Sequence, residues 1–369
     1  MKHFVDEHIL PLESEPENFD EHESIVLPVL SGLRERARKE GLWALQISEA
    51  RGGGGLPVIG MAACYEEMGR SLYGPVVFNS HAPDDGNMML LEKVATDAQK
   101  DRWLEPLVNG DVWSAFAMTE PAPGSGSDPG GMMQTRAMLD GDDWVINGTK
   151  TFISGAASSD YLLLQAVTDQ EKRQRGGITM FIIDNPTPGM SFDPIHVWTM
   201  PSRAQQNLVH LDNVRVPQTQ VLGEVGQGFT LGQQWLVHHD RLLRGSMALG
   251  ILSRALNMAI DWAKQRVTYG RPIADRQAIQ WMLTDVYIDI MALRALTRGT
   301  AERADNGEDV RVEASMVKYC AGEWGWRSID KIMQVFGGIG ETTDMPIAHW
   351  YHMLRHARIG GGTSEIHKF

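Results

Sequence analysis

Cysteine is nearly absent from this chain, with two in 369 residues, Cys64 and Cys320. Two thiols cannot build a disulfide framework or a cysteine-rich zinc site, so each reads as a small buried hydrophobe in a reducing cytoplasm. Basic charge is also short. Lys and Arg total 34 against 47 Asp and Glu, a formal charge of −13, which argues against a nucleic-acid surface and leaves room only for a local basic pocket. No run of about 18 apolar residues occurs, and the opening MKHFVDEHIL is too charged for a secretory signal. The chain therefore reads as soluble, with no membrane insertion. No G-x-G-x-x-G follows a strand pattern and no Walker loop is present, so neither common nucleotide cradle is written in it. No repeat of 20–50 residues is visible.

What is present divides into three regions. The length alone implies about two to three domains. Over residues 1–112 the apolar spacing is helical, in VLPVLSGLRERARKEGLWAL and in VIGMAACYEEMGRSLY, with the glycines at 52–55 between them. A third helix, DAQKDRWLEPLVNG, is expected to be capped by Asp97 and to stop at Gly110. Residues 113–218 change character: DWVINGTKTFISGA, YLLLQAV, GGITMFIID, GMSFDPI and QNLVHLDNVRVP are short, β-branched or alternating, and bounded by turn residues. Residues 219–369 return to helices, longer than before, which implies a bundle of about four. The 20 methionines and 11 tryptophans are scattered through these periodic segments and read as packing. The fold class is α+β: an N-terminal all-α domain, a central β-barrel-like domain and a C-terminal four-helix bundle.

Five segments carry a resemblance: AMTEPAPGSGSD (117–128), NGTKTFISG (147–155), QRVTYGRPIADRQAIQ (265–280), QVFGGIG (334–340) and GGGTSEI (360–366). In that order, and across all three regions, the chain resembles the acyl-CoA dehydrogenase family. Within it, FNSHAPDDGNMMLLEK (78–93) is similar to the branch of human members ten and eleven, which has an APDTGNM segment. The resemblance implies FAD between the β domain and the bundle, a homo-oligomer (a dimer, or a tetramer of two dimers), and transfer of electrons from an acyl-CoA substrate to an electron-transfer flavoprotein.

Residue by residue, the resemblance implies the following. Phe116, Met118 and Thr119 lie on the segment that runs along the flavin pyrimidine, where backbone N–H groups and a threonine hydroxyl stabilise the charge gained on reduction. Ser127 matches a serine contacting cofactor or acyl-CoA, although this loop is longer than usual and Ser125 competes for the role. Phe152 and Ser154 match the aromatic that covers the flavin and the hydroxyl that bonds N5. Arg266 and Tyr269 match the pair that holds the ADP part of FAD on an adjacent subunit. Gln334, Gly337 and Gly338 match a Gln and Gly-Gly that admit the backbone to the pyrophosphate or adenosine region, and Thr363 and Glu365 match cofactor contacts. Read without the family, a threonine before a proline, a Gly-Gly after a helix and a flexible Gly-Ser loop are ordinary structure.

The chemistry implied is removal of an α-proton by a carboxylate while the β-hydrogen leaves as hydride. In many members the base is the glutamate of YEGT, which here aligns with Gly361. Isovaleryl and long-chain members place it instead on the first bundle helix, immediately before an arginine, and HHDRLLRG (238–245) puts Asp240 there, before Arg241. Asp240 is the expected base, with Arg241, Ser127 and Gly361 at the substrate. Against it stand a plain helix ion pair with a neighbouring arginine and His238 or His239 as acceptor. The displaced base leans towards branched or long acyl groups. The resemblance also leaves open altered flavin chemistry (monooxygenase, oxidase or base-independent lyase) and a catalytically silent binding protein. The chain stops at Phe369, earlier than the family's usual last helix.

Overall fold

The computed structural model describes residues 1–20, 24–126, 128–197 and 205–369, and not the side chains of His238 and His239. Ser127 and these two histidines, all named from the sequence, thus lie outside the described residues or side chains.

The N-terminal region is helical. Helix α1, Leu27–Lys39, opens with a proline in its first turn and buries Leu30, Leu33 and Ala37. The sequence pattern carried it on through Leu45, but the chain turns at Gly41, where φ is +69°. Trp43 then docks, donating from Nε1 to the Val108 carbonyl at 2.7 Å. Helix α2, Val58–Met68, buries Met61, Ala62, Tyr65 and Met68, and α3 spans Asp84–Val94. The helical turns after it are capped by Thr96, not Asp97: Thr96 and Gln99 form a reciprocal capping box. They end at Gly110 with φ +73°.

The centre is a sheet of eight strands: β1 Ser114–Ala117, β2 Arg136–Asp140, β3 Asp143–Ser154, β4 Tyr161–Val167, β5 Ile178–Asp184, β6 Met190–Ile195, β7 Gln206–Pro217 and β8 Val221–Leu222. Their spatial order is β6-β7-β3-β2-β4-β5-β8, with β1 parallel to β4. Strands β4 and β5 are apolar throughout or nearly so, because both faces are covered. One face packs with Trp103, Leu104 and Leu107 of the N-terminal region, the other with Trp144, Val209 and Val214 inside the sheet domain.

The bundle begins with one long helical rod. Its first part is α4, Gly228–Trp235, its middle a π-helical turn, Leu236–Arg241, and its last part α5, Leu242–Gln265. A two-residue hairpin, β9 Val267–Thr268 with β10 Arg271–Pro272, turns through Tyr269 and Gly270, both at positive φ. Then come α6 Gln277–Asp305, α7 Arg311–Phe336, α8 Ile347–His356 and the short α9 Ser364–Lys368. Small residues of α5 (Ala248, Ala255, Ala259) face Val286, Ile290, Leu293 and Ile329 in the bundle core.

Candidate active site

The π turn falls on LVHHDR, the segment read as carrying the base. A π turn widens the helix by one residue and is frequently found at functional sites. Asp240 lies in it and is 5% exposed. Its Oδ1 accepts from Arg244 Nε at 2.9 Å, one helical turn on, and the neighbouring Arg241 reaches Ser315 Oγ at 3.4 Å. Arg241 is pushed down by burial, whereas Arg244, also penalised by burial, is held up by the Asp240 carboxylate.

The three glycines near the C-terminus meet this carboxylate. A Cβ placed on Gly361 would stand 1.9 Å from Asp240 Oδ2 and 3.4 Å from Lys318 Cε. A Cβ on Gly360 would stand 2.5 Å from His356 Nε2, and one on Gly362 would stand 3.0 Å from His367 Nε2. Each glycine therefore yields its volume to a different polar side chain, and Gly361 and Gly362 also adopt positive φ, +70° and +107°. Burial, with Lys318 and Arg241 nearby, pulls His367 down to about 4, and burial lowers His356 as well.

The turn itself is pinned from α7. Lys318, 2% exposed, donates to the carbonyls of Ala357 at 2.5 Å and Gly360 at 2.7 Å. Its burial draws its pKa down to about 8 against the pull of Asp240. Glu323 takes Arg358 Nε at 2.7 Å and Ser364 Oγ at 2.6 Å. Thr363 caps α9, its hydroxyl accepting from Ile366 N at 3.4 Å, while Glu365 faces solvent.

Beside Arg244 a small cavity of about 10 Å³, room for about one water, is lined by Tyr65, Ala82, Asp85, Leu243, Arg244 and Met247. Tyr65 donates to Asp85 Oδ2 at 2.5 Å, and burial together with that carboxylate pushes the phenol well up. A larger cleft on the α6–α7 face, at Asp285, Asp289, Arg327 and Lys331, is crossed by its own ion pairs, such as Lys331–Asp285 at 2.6 Å.

On the sheet side, Phe116 of β1 stacks on Trp235 with centroids 4.6 Å apart and planes 10° from parallel. Trp235 is the last residue before the π turn and donates to Asn87 Oδ1 at 3.1 Å, which fixes β1 against the rod that carries Asp240. Met118 and Thr119 follow, half-buried. They are held by a buried ion pair the sequence reading missed: Lys150 Nζ lies 2.9 Å from Glu120 Oε1 and 3.1 Å from the Met118 carbonyl. Glu120 also accepts from the backbone N–H of Gln134 and Thr135 at 2.6 and 2.9 Å. Burial raises Glu120, but Lys150 and these donors outweigh it and leave it lowered, while burial brings Lys150 down to about 8. The Thr119 carbonyl accepts from Thr151 N at 2.9 Å. Next along β3, Phe152 is 60% exposed at φ +56°, and Ser154 Oγ accepts from Gln206 at 2.7 Å. Ser125 is fully buried, and among the described residues its hydroxyl has no hydrogen-bond partner.

The remaining predicted residues form a separate group. Trp262 of α5 packs on Phe336 of α7, which brings the hairpin after α5 close to the end of α7. Arg266, Gln334, Gly337 and Gly338 are exposed and Tyr269 is 98% exposed. The 24 residues of α5 set this group about 36 Å from Asp240 at 1.5 Å per residue. The structure thus brings Asp240, Arg241 and Gly361 together, ties Phe116 to the rod that carries Asp240 through Trp235, and leaves the hairpin group at the far end.

Comparison with known proteins agrees with this fold. Family profiles for the N-terminal, middle and C-terminal domains of acyl-CoA dehydrogenase match residues 1–111, 115–214 and 226–368. The chain is 35% identical to the (R)-benzylsuccinyl-CoA dehydrogenase of Thauera aromatica over 91% of its own length and 82% of that protein. The structure of butyryl-CoA dehydrogenase from Megasphaera elsdenii matches with a TM-score of 0.85 at 28% identity, covering 100% of this chain and 94% of that one. A structure reported for the electron transferring flavoprotein of Acidaminococcus fermentans matches with a TM-score of 0.87 at 26% identity, covering 100% and 93%. The chain belongs to the acyl-CoA dehydrogenase family and is an oxidoreductase of that kind. These matches do not single out the branch that residues 78–93 resembled. Among the described residues no helix is long and apolar enough to cross a membrane.

Proposed function

We propose that this protein is an FAD-dependent dehydrogenase that introduces an α,β double bond into an acyl-CoA thioester, with Asp240 as the base. The observation that carries the reading is the buried Asp240 carboxylate standing in the volume that Gly361 vacates. A carboxylate is present at the site although the aligned position is glycine. Arg241 and Arg244, on the same rod, stand beside it.

The residues on the sheet side fit a flavin. Phe152 is a large aromatic held in a left-handed conformation and turned to solvent, an arrangement that carries strain and suits a flat ring laid on it. Thr119, Met118 and Phe116 would line the pyrimidine edge, and the Ser154 hydroxyl would face N5. FAD, when bound, accepts the hydride. The group at Arg266, Tyr269, Gln334, Gly337 and Gly338 would hold the ADP part of a cofactor in another copy of the chain, which its distance from Asp240 supports. Thr363 and Glu365 would complete the rim, with Ser127 at cofactor or substrate. Exposed Trp281, Tyr287, Ile288 and Met291 on α6 favour a homo-oligomer, dimer or tetramer. The electron acceptor would be an electron-transfer flavoprotein and the compartment a reducing cytoplasm, which suits the two free cysteines.

Anaerobic bleaching of the bound flavin by straight, branched and cyclic acyl-CoAs tests the reading, and Asp240→Asn should abolish it. Bleaching that survives Asp240→Asn removes the base assignment. No bleaching by any acyl-CoA in the wild type removes the dehydrogenase reading and favours altered flavin chemistry or a silent binding protein.

A further inference from the structure

Lys318 is a fully enclosed ammonium that the reaction as described does not use. A buried lysine without compensation loses several kcal/mol of hydration, so its place needs a reason. Its Nζ donates to the carbonyls of Ala357 and Gly360, the residues that lead into the Gly361 turn. The missing Cβ of Gly361 would stand 1.9 Å from Asp240 Oδ2 and 3.4 Å from Lys318 Cε. The lysine thus bonds the turn that withholds a side chain and reaches the carboxylate that fills the gap through its charge.

We infer that Lys318 is a positioning residue for the base: it clamps the glycine turn so that position 361 stays open to the Asp240 carboxylate. This rests on the assignment of Asp240 above. Among the described side chains, the charged and titratable groups that act on Asp240 or adjoin it come from four elements. Arg241 and Arg244 share its rod, Lys318 comes from α7, His356 from α8 and His367 from α9. Asp85 and Tyr65 act on Arg244 from the N-terminal helices. The two arginines do not titrate in the working range, and both histidines are held low by burial. Lys318, drawn down to about 8, is the member of this set whose charge changes just above neutrality.

The consequence is a fall in the rate of flavin reduction as pH rises through the pKa of the lysine. This alkaline limb, near pH 8, belongs to Lys318, whose neutral amine holds the carbonyls of Ala357 and Gly360 less firmly than its ammonium does. Removing the lysine frees the turn at every pH, so the rate is low throughout and the limb near pH 8 is absent. Arginine keeps the charge and does not deprotonate.

The test is the rate of anaerobic flavin reduction by a saturating acyl-CoA from pH 5.5 to 9.5 on flavin-loaded wild type, Lys318→Met and Lys318→Arg, with Asp240→Asn alongside. The expected result is a lowered rate without the limb near pH 8 in Lys318→Met, with the acyl-CoA dissociation constant changed less than the rate. Lys318→Arg should keep the wild-type rate below pH 8 and lose the alkaline limb. If both variants keep the wild-type profile and differ only in melting temperature or flavin content, Lys318 is structural and the inference is overturned. Where Lys318→Met does not fold, Lys318→Arg decides alone, since an alkaline limb that persists in it also overturns the inference. Reduction that survives Asp240→Asn removes the base assignment itself, a separate outcome.

Discussion

The carboxylate of Asp240 and the α-carbon of Gly361 stand against one another so closely that a methyl on the glycine would lie 1.9 Å from Oδ2. The two positions are 121 residues apart in the chain and exclude each other in space. Gly361→Ala should lose about 1 kcal/mol from its positive φ alone and about 1–3 more from the overlap. In an Asp240→Ala background the overlap vanishes and only the backbone part remains. Urea denaturation of the two single variants and the double variant should therefore give a coupling of about 1 kcal/mol or more. Strict additivity would show that the overlap is relieved elsewhere.

His367 sits against the turn with its pKa drawn down to about 4 from 6.5, chiefly by burial. Between those values the unfolded chain holds more proton at this site than the folded one, so its contribution is full above pH 6.5 and is lost as pH falls towards 4. His367→Gln should make the stability curve flatter over that interval than the wild type's. Parallel curves for the two proteins would contradict the assignment.

The Lys150–Glu120 pair is buried at both ends, with side chains 0% and 2% exposed. Lys150→Met strands the carboxylate and should cost about 3–5 kcal/mol, whereas Lys150→Met with Glu120→Leu should cost clearly less. The lysine's own lowered pKa, about 8 against 10.5, makes the unfolded chain the stronger proton binder between those values. Wild-type stability therefore rises with pH across that window, and part of the rise should disappear in the Lys150 variant. Equal losses in the single and double variants would speak against a stranded charge.

Phe152 separates stability from cofactor retention. Glycine at 152 relieves the positive φ without emptying a core, so Phe152→Gly should leave unfolding of the flavin-free protein unchanged or raise it by up to about 1 kcal/mol. It should also release flavin more readily on gel filtration. A variant that keeps flavin as tightly as wild type would show that the ring does not face the cofactor.

Much of the fold was legible because its periods are clean. The five β segments read from the sequence coincide with β3, β4, β5, β6 and β7 to within a few residues, since alternation and bounding turn residues are local signals. The site was legible only where a short motif carried it. Asp240 was found as a carboxylate beside an arginine, but Lys318 was not, because a lysine on an amphipathic helix reads as solvated until the helices around it are placed. Glu120 and Lys150 lay inside two quoted motifs and were passed over for the same reason: their burial depends on which strands meet. The cap moved from Asp97 to Thr96 because both are good capping residues and only the reciprocal bond with Gln99 chooses. The crowding of Gly360, Gly361 and Gly362 by three side chains from separate segments has no sequence signature at all.

The π turn at Leu236–Arg241 does one thing that an unbroken helix cannot. Each residue of an α-helix advances about 100°, so one inserted residue rotates everything after it relative to everything before. Leu231 and Trp235, before the turn, belong to the core shared with the sheet, while Leu242 and Leu243, after it, belong to the core of the N-terminal helices. The rod therefore behaves as a coupling with two keyways cut out of phase. Removing a single residue from the turn would leave both halves helical and equally apolar, yet one of them would face the wrong partner.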